Sequence, residues 1–320
     1  MTITRIGVVG AGAWGLALAL AAVRAGARVR LWGRDTAALA RHRRSLRLPG
    51  VEMPPEIEIV PTLGDLGDRD ALLVATPAQA TRETVAALAA ALKPLPLILC
   101  AKGLERASGR FLSDVAGEAA PGFPLGFLSG PSFAVDVAAG LPTAVTLAAA
   151  DGALAAKLAD ALQSPNFRLY DSDDPRGVEI GGAAKNVLAI ACGAAAGMGL
   201  GASASAALVA RGFAELQRFG AAYGARPATL MGLSGLGDLV LTCGSLQSRN
   251  FAYGHALGRG ATPDGNLAEG AFTAAALVAL ARARSVDMPI SRAVAALVAG
   301  ETSARQAVET LLARPRRTEA

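Results

Sequence analysis

Gly10-Ala11-Gly12-Ala13-Trp14-Gly15 constrains this chain more than any other stretch, because it joins two segments of different periodicity. Ile3 to Val9 is short, apolar and rich in β-branched residues, which predicts a buried strand. From Trp14 the run LALALAAVRA predicts a helix that stops at Gly26. A strand that turns through such glycines into a helix is a dinucleotide-binding fingerprint. Gly10 permits the tight turn, Gly12 lets a pyrophosphate approach the backbone, and Gly15 lets helix and strand pack closely. The free N–H groups and dipole at the helix start favour the phosphate charge.

The alternation continues through the first half. Strands are predicted at Arg28–Trp32, Ile57–Val60, Ala71–Ala75, Leu97–Ala101, Leu125–Leu128, Ala144–Leu147 and Phe167–Tyr170. A loop is predicted from Pro49 to Pro55, and helices follow Thr76-Pro77 and span Asp151–Leu162. Apolar strands alternating with helices imply an α/β fold, a Rossmann-type doubly wound and mostly parallel sheet. From about Val178 the pattern is helical almost throughout. The polar run Asp171-Ser-Asp-Asp-Pro175 marks the boundary between a dinucleotide-binding domain, 1–175, and an all-helical domain, 176–320. A chain of 320 residues is long enough for both.

Composition narrows the function classes. Hydrophobic residues make up 52% and charged ones 18%, which describes a well-buried globular protein, and the Ala/Gly bias predicts close helix contacts. The net charge is +5. Arginines gather at Arg41, Arg43, Arg44 and Arg47 and in the tail at Arg314, Arg316 and Arg317, without interleaved aromatics, so no nucleic-acid partner is expected. Cys100, Cys192 and Cys243 show neither metal-type spacing nor a disulfide framework, so no metal is expected. The chain opens directly on a strand, without a charged-then-apolar leader. Together these predict a reduced, cytoplasmic setting. The uncharged stretch Asn186–Ala210 is long enough to span a bilayer, but its Gly, Ala and Ser content predicts a buried helix and no membrane span.

In an open parallel sheet, ligands bind beyond the carboxyl ends of the strands. Gly33-Arg34-Asp35 follows the second strand, offering an acid for ribose hydroxyls and an arginine for a 2′-phosphate, so NAD or NADP is expected as coenzyme. The chain has four lysines against 27 arginines. Lys93 and Lys157 fall on helical surfaces; Lys102 follows a strand, and Lys185 is predicted to open an apolar helix. A desolvated ammonium can give up its proton near neutral pH, whereas a guanidinium cannot. His42, in the arginine-rich loop, and His255 have no acidic partner by spacing, so lysine is the better proton carrier. Ser129-Gly130-Pro131-Ser132 also follows a strand. Asp238 is a lone acid in the apolar run Leu233–Thr242, and Ser248-Arg249-Asn250 carries groups that suit a phosphate.

In order along the chain, GAGAWGLALA, LPG at Leu48–Gly50, AKGLE at Ala101–Glu105, SGPSFA, GLPTAVT, GGAAKNVLAI, LSGLGDLVLTC, SRN and the AEG of Ala268–Gly270 together resemble NAD(P)-dependent glycerol-3-phosphate dehydrogenase over nearly the whole length. The resemblance implies hydride transfer between NAD(P)H and dihydroxyacetone phosphate, giving sn-glycerol 3-phosphate for glycerophospholipid synthesis, by a homodimer. It assigns Lys185 as proton acceptor and places Lys102 at both substrate and coenzyme. Gly130, Ser132, Asp238, Thr242, Ser248, Arg249 and Asn250 resemble substrate-site residues. Gly10, Gly12, Ala13, Trp14, Gly15, Arg34, Ala134, Arg249, Leu267 and Glu269 resemble coenzyme contacts. Ala13 stands where a serine is common, Arg47 where an aromatic is usual and Asp136 where glutamate is usual. Two other readings use part of the same pattern. A β-hydroxyacid or 6-phosphogluconate-type dehydrogenase shares the glycine fingerprint and the lysine–asparagine helix, but not SRN or SGPSFA. A non-catalytic NAD(P)H sensor would need the fingerprint without Lys102, Lys185 and Asp238.

Overall fold

The computed structural model describes residues 3–263 and 268–315. Its N-terminal part holds strands β1 (Arg5–Val9), β2 (Arg28–Trp32), β3 (Arg44–Ser45), β4 (Leu48–Glu52), β5 (Ile57–Val60), β6 (Ala71–Val74), β7 (Leu97–Leu99), β8 (Leu125–Ser129), β9 (Thr143–Ala149) and β10 (Phe167–Ser172). Eight of them form one sheet in the order β10-β9-β8-β7-β6-β1-β2-β5. The six strands from β8 to β5 run parallel; β9 pairs antiparallel with β8, and β10 runs parallel with β9. The sheet is therefore mostly parallel, as the apolar strand runs require. Two apolar clusters cover it, one built on Ile6, Val8, Leu16 and Leu31, the other on Val9, Leu72, Val74 and Leu99. Alternate residues of β1 thus bury on both faces.

The strand order reverses at β1, which lies between β2 and β6. The turn from β1 into the helix Ala13–Arg24 sits at this switch point, where such sheets bind ligands. Gly10 has φ +114°, and a Cβ there would lie 2.9 Å from the Ala75 carbonyl oxygen. A Cβ on Gly15 would lie 1.8 Å from the Gly10 carbonyl oxygen. Around Gly12 nothing lies within 4 Å of where a Cβ would be, so the space over the turn is open. The following helix has no side-chain cap and no acid in its first turn, leaving its N–H groups to a ligand.

Several sequence readings need correction. The predicted loop Pro49–Pro55 is partly a hairpin: β4 pairs antiparallel with β3, pinned by fully buried Leu48. His42 closes a short helix, Ala37–His42, and does not lie in a loop. Lys185 does not open its helix but sits inside one of 23 residues, Pro175–Gly197. Asp174 starts that helix by accepting from Gly177 N at 2.8 Å, with Pro175 in the first turn, so Gly181 and Gly182 are interior residues.

The second part of the chain is helical. The helix Pro175–Gly197 is the one described helix long and apolar enough to cross a membrane, and 83% of its most apolar window is buried inside the protein. The uncharged stretch continues into a second helix, Gly201–Ala222, whose first ten residues are half-buried or exposed, so the expected single buried helix is two. Burial of the first depends on glycine. It crosses the helix Arg249–Gly258 so closely that Cβ atoms on Gly193 or Gly197 would lie 2.1 and 2.2 Å from the carbonyl oxygens of Phe251 and His255. In return, Cβ atoms on Gly254 or Gly258 would lie 2.0 and 2.1 Å from those of Ile190 and Ala194. Backbone cannot yield as a side chain can, so Gly254→Ala is expected to cost about 3 kcal/mol or more, at the upper end of overpacking. Urea unfolding checks this; a midpoint equal to that of the parent chain would show that the crossing tolerates a methyl group.

Candidate active site

The loops after β1, β2, β6, β7 and β8 leave the sheet at one edge, and the helix Pro175–Gly197 packs against β8 there. Lys102 lies in the loop after β7. Its Nζ donates to the Gly130 carbonyl at 3.0 Å, in the loop after β8, and to Asp238 Oδ2 at 2.6 Å. Lys185 reaches the same carboxylate from the helix: its Nζ donates to Asp238 Oδ1 at 2.5 Å and to Thr242 Oγ1 at 2.7 Å. Thr242, one turn beyond Asp238, donates its own hydroxyl to Oδ1 at 3.2 Å. A π-helical turn, Leu233–Gly237, leads into Asp238, a geometry frequent at functional sites.

Asp238 is 1% exposed and Lys185 6%, while Lys102 is half-buried. Two ammonium groups thus share one carboxylate. Burial alone would raise the Asp238 carboxyl, but the charges of Lys102 and Lys185 outweigh it and hold it below the usual carboxylate value. Burial is also the main influence on Lys185, lowering its ammonium to about 8; Asp238 opposes that fall and Lys102 adds to it. The site therefore holds an amine that changes charge near neutral pH.

An amide chain continues from this group. Asn186 Nδ2 donates to the Lys102 carbonyl at 3.0 Å, Asn250 Nδ2 to Asn186 Oδ1 at 2.9 Å, and Gly270 N to Asn250 Oδ1 at 2.8 Å. It ends beside Glu269, whose Oε1 accepts from Ala78 N at 3.3 Å. Glu269 Oε2 is buried with no hydrogen-bond partner among the described residues, and burial raises this carboxyl above its ordinary value.

Comparison with known proteins decides what this arrangement belongs to. The family profile described as NAD-dependent glycerol-3-phosphate dehydrogenase N-terminus matches residues 5–155, and its C-terminus counterpart matches residues 174–309. Glycerol-3-phosphate dehydrogenases [NAD(P)+] of Azorhizobium caulinodans and Methylobacterium radiotolerans are each 58% identical over 99% of this chain and 98% of theirs. This chain belongs to the NAD-dependent glycerol-3-phosphate dehydrogenase family. The crystal structure of glycerol-3-phosphate dehydrogenase from Coxiella burnetii superposes with a TM-score of 0.91 at 35% identity, covering 98% of this chain and 99% of that one. A D-mandelate dehydrogenase, at 14% identity and a TM-score of 0.63, shares the fold alone.

Against the glycerol-3-phosphate dehydrogenase resemblance, the structure brings Lys102, Gly130, Lys185, Asp238 and Thr242 into direct contact. Ser132 joins them through a hydrogen bond to the Gly130 carbonyl at 3.0 Å. Arg249 is exposed at the first position of its helix, and Ser248 caps that helix by accepting from Phe251 N at 3.3 Å. Gly10, Gly12, Ala13, Trp14 and Gly15 form the turn at β1, with the Trp14 Nε1 buried and unpartnered among the described residues. Ala134 packs against the same core as Trp14, and Arg34 is exposed after β2. Leu267 lies outside the described residues.

Sequence reasoning did not single out Asn186, although it adjoins Lys185, nor the bond between Asp238 and Lys102. Because Asp238 pairs with two cations, its removal is expected to be costly: Asp238→Asn should destabilise the fold by about 3 kcal/mol or more, the scale of stranding a buried charge. Chemical denaturation at pH 7 reads this, and an unchanged stability would mean that the lysines find water instead.

Proposed function

We propose that this chain interconverts dihydroxyacetone phosphate and sn-glycerol 3-phosphate with NADH or NADPH, supplying glycerol phosphate for glycerophospholipid synthesis. The single observation that carries the reading is the buried amine of Lys185, held by Asp238 and Thr242 at the ligand-binding edge of a dinucleotide-type sheet. The coenzyme suits the turn at β1: open space over Gly12 and free helix N–H groups fit a pyrophosphate. Bound there, the reduced nicotinamide supplies the hydride for the ketone carbon.

The remaining chemistry falls to the chain. Reduction builds negative charge on the C2 oxygen, and a nearby ammonium stabilises that charge and then delivers a proton. Lys185 suits this step because its ammonium is lowered to about 8, so both forms are populated near neutrality. In the reverse direction its neutral amine takes the proton from the alcohol. Asp238 and Thr242 fix the direction of Nζ and act as positioning groups. Lys102 adds a second positive charge that orients the substrate. Gly130 and Ser132 join it as substrate contacts, and Ser248, Arg249 and Asn250 hold the phosphate, with the exposed Arg249 guanidinium supplying charge-assisted bonds. On the coenzyme side, Gly10, Ala13, Trp14, Ala134 and Glu269 line the cofactor, and Arg34 meets a 2′-phosphate. Two copies associate as a homodimer, and the three free, buried thiols suit a reducing cytoplasm.

A spectrophotometric assay with dihydroxyacetone phosphate, run separately with NADH and NADPH, tests the reading; no substrate-dependent oxidation of either would overturn it. Lys185→Ala should lower turnover by roughly 10²-fold or more. Ketone reduction needs the ammonium, so its rate should fall as pH rises through about 8, while alcohol oxidation needs the amine and should rise through the same pH. Profiles that move together would remove Lys185 from proton transfer. Arg34→Ala should raise the Michaelis constant for NADPH and spare that for NADH; equal losses, or none, would remove its 2′-phosphate role.

A further inference from the structure

Two glycines one turn before Lys185, Gly181 and Gly182, have no part in the fingerprint. A Cβ on Gly181 would lie 2.5 Å from the Ser234 carbonyl oxygen, in the π-helical turn that leads to Asp238. A Cβ on Gly182 would lie 3.3 Å from Lys102 Cγ, 3.6 Å from Lys102 Cβ and 2.9 Å from Ser129 Oγ. The helix is therefore notched on two sides. The turn bearing Asp238 presses into one side, and the stem of Lys102 crosses the other.

We propose that Gly182 is a positioning residue: by carrying no side chain it lets Lys102 cross the helix and reach Asp238, so that two ammonium groups share one carboxylate. This deepens the reading of Lys185 as proton donor and rests on it. The charged and titratable groups that act on the Lys185 ammonium are Asp238, Lys102 and Cys243. Of these, Lys102 is the one whose stem passes over Gly182. A methyl group at Gly182 would stand 3.3 Å from Lys102 Cγ, close enough to push that stem aside by a few tenths of an ångström. Lys102 then withdraws from Asp238, the like charge beside Lys185 weakens, the carboxylate turns wholly to Lys185, and Lys185 holds its proton to higher pH. The same change leaves most of the fold intact, since the tightest contact is with the hydroxyl of Ser129, which can rotate.

The chain's four lysines make a direct test possible, because ¹³Cε-lysine labelling gives four signals assignable by single Lys→Arg changes. In the full-length parent the Lys185 signal should titrate near pH 8. In Gly182→Ala its midpoint should move up by about half a unit or more, on the scale of a weakened neighbouring charge. In Lys102→Met the midpoint should also rise, and adding Gly182→Ala to Lys102→Met should move it no further. An unchanged midpoint in Gly182→Ala, or an equal extra shift in the Lys102→Met background, overturns the proposal. If Gly182→Ala does not fold, Gly182→Ala/Ser129→Ala removes the 2.9 Å contact and keeps the one with Lys102, and the same shift is expected of it. The titration needs no turnover. A chain inactive on dihydroxyacetone phosphate would therefore refute the proposed activity while leaving this measurement able to speak for or against Gly182.

Discussion

One carboxylate shared by two ammonium groups is the interaction on which the rest of this structure depends. Asp238 is almost wholly buried and pairs with Lys102 on one oxygen and Lys185 on the other. Such a group is stable only when its hydrogen bonds are complete, because a buried charge without a partner is very costly. The fold meets that condition from three directions. The loop after β7 brings Lys102, the loop after β8 brings the Gly130 carbonyl, and the helix Pro175–Gly197 brings Lys185. The group remains short of one negative charge. That imbalance, added to burial, loosens a lysine proton that would otherwise be held to much higher pH.

The glycines and alanines of the helix that carries Lys185 serve its close packing. A helix that must carry a charged lysine deep inside a domain needs close neighbours on all sides. Glycine and alanine allow backbones to approach each other, as they do where Gly193 and Gly197 meet the helix Arg249–Gly258. The result is a helix as apolar as a membrane span whose partners are other helices. Glu179 and Glu215 show how the domain treats other buried acids, whose carboxyls burial raises. Glu179 accepts from Ser113 N and Oγ at 2.9 and 2.7 Å, and Glu215 from Ile290 N and Ser291 N at 2.6 and 3.1 Å, each at the start of a helix.

Much of this was legible in the sequence for identifiable reasons. All eight strands of the main sheet were readable, the central ones such as Ala71–Val74 and Leu97–Leu99 as continuous apolar runs and the outer ones, Arg28–Trp32, Ile57–Val60 and Phe167–Ser172, as alternating apolar and polar residues. Lys102 and Lys185 stood out because the chain otherwise writes arginine for a positive charge. The hairpin at Leu48 was hidden because Pro49 and Gly50 resemble a loop, and the tertiary burial of Leu48 overrides that local signal. The start of the Lys185 helix was misplaced because Gly177, Gly181 and Gly182 look like helix breakers until the elements packed against them are known. Pairing of Asp238 with Lys102 joins residues 136 positions apart, and no local pattern reports it. Asn186 is a similar case: its role is a bond to the Lys102 carbonyl, which spacing cannot show.

The most direct test is a crystal structure of the complex with reduced coenzyme and a non-reacting analogue of dihydroxyacetone phosphate. The account predicts the Lys185 Nζ within about 3 Å of the oxygen on C2, a hydrogen-bond distance, with its contact to Asp238 retained. A C2 oxygen held by other groups, with Lys185 Nζ still turned wholly toward Asp238 and Thr242, would contradict it.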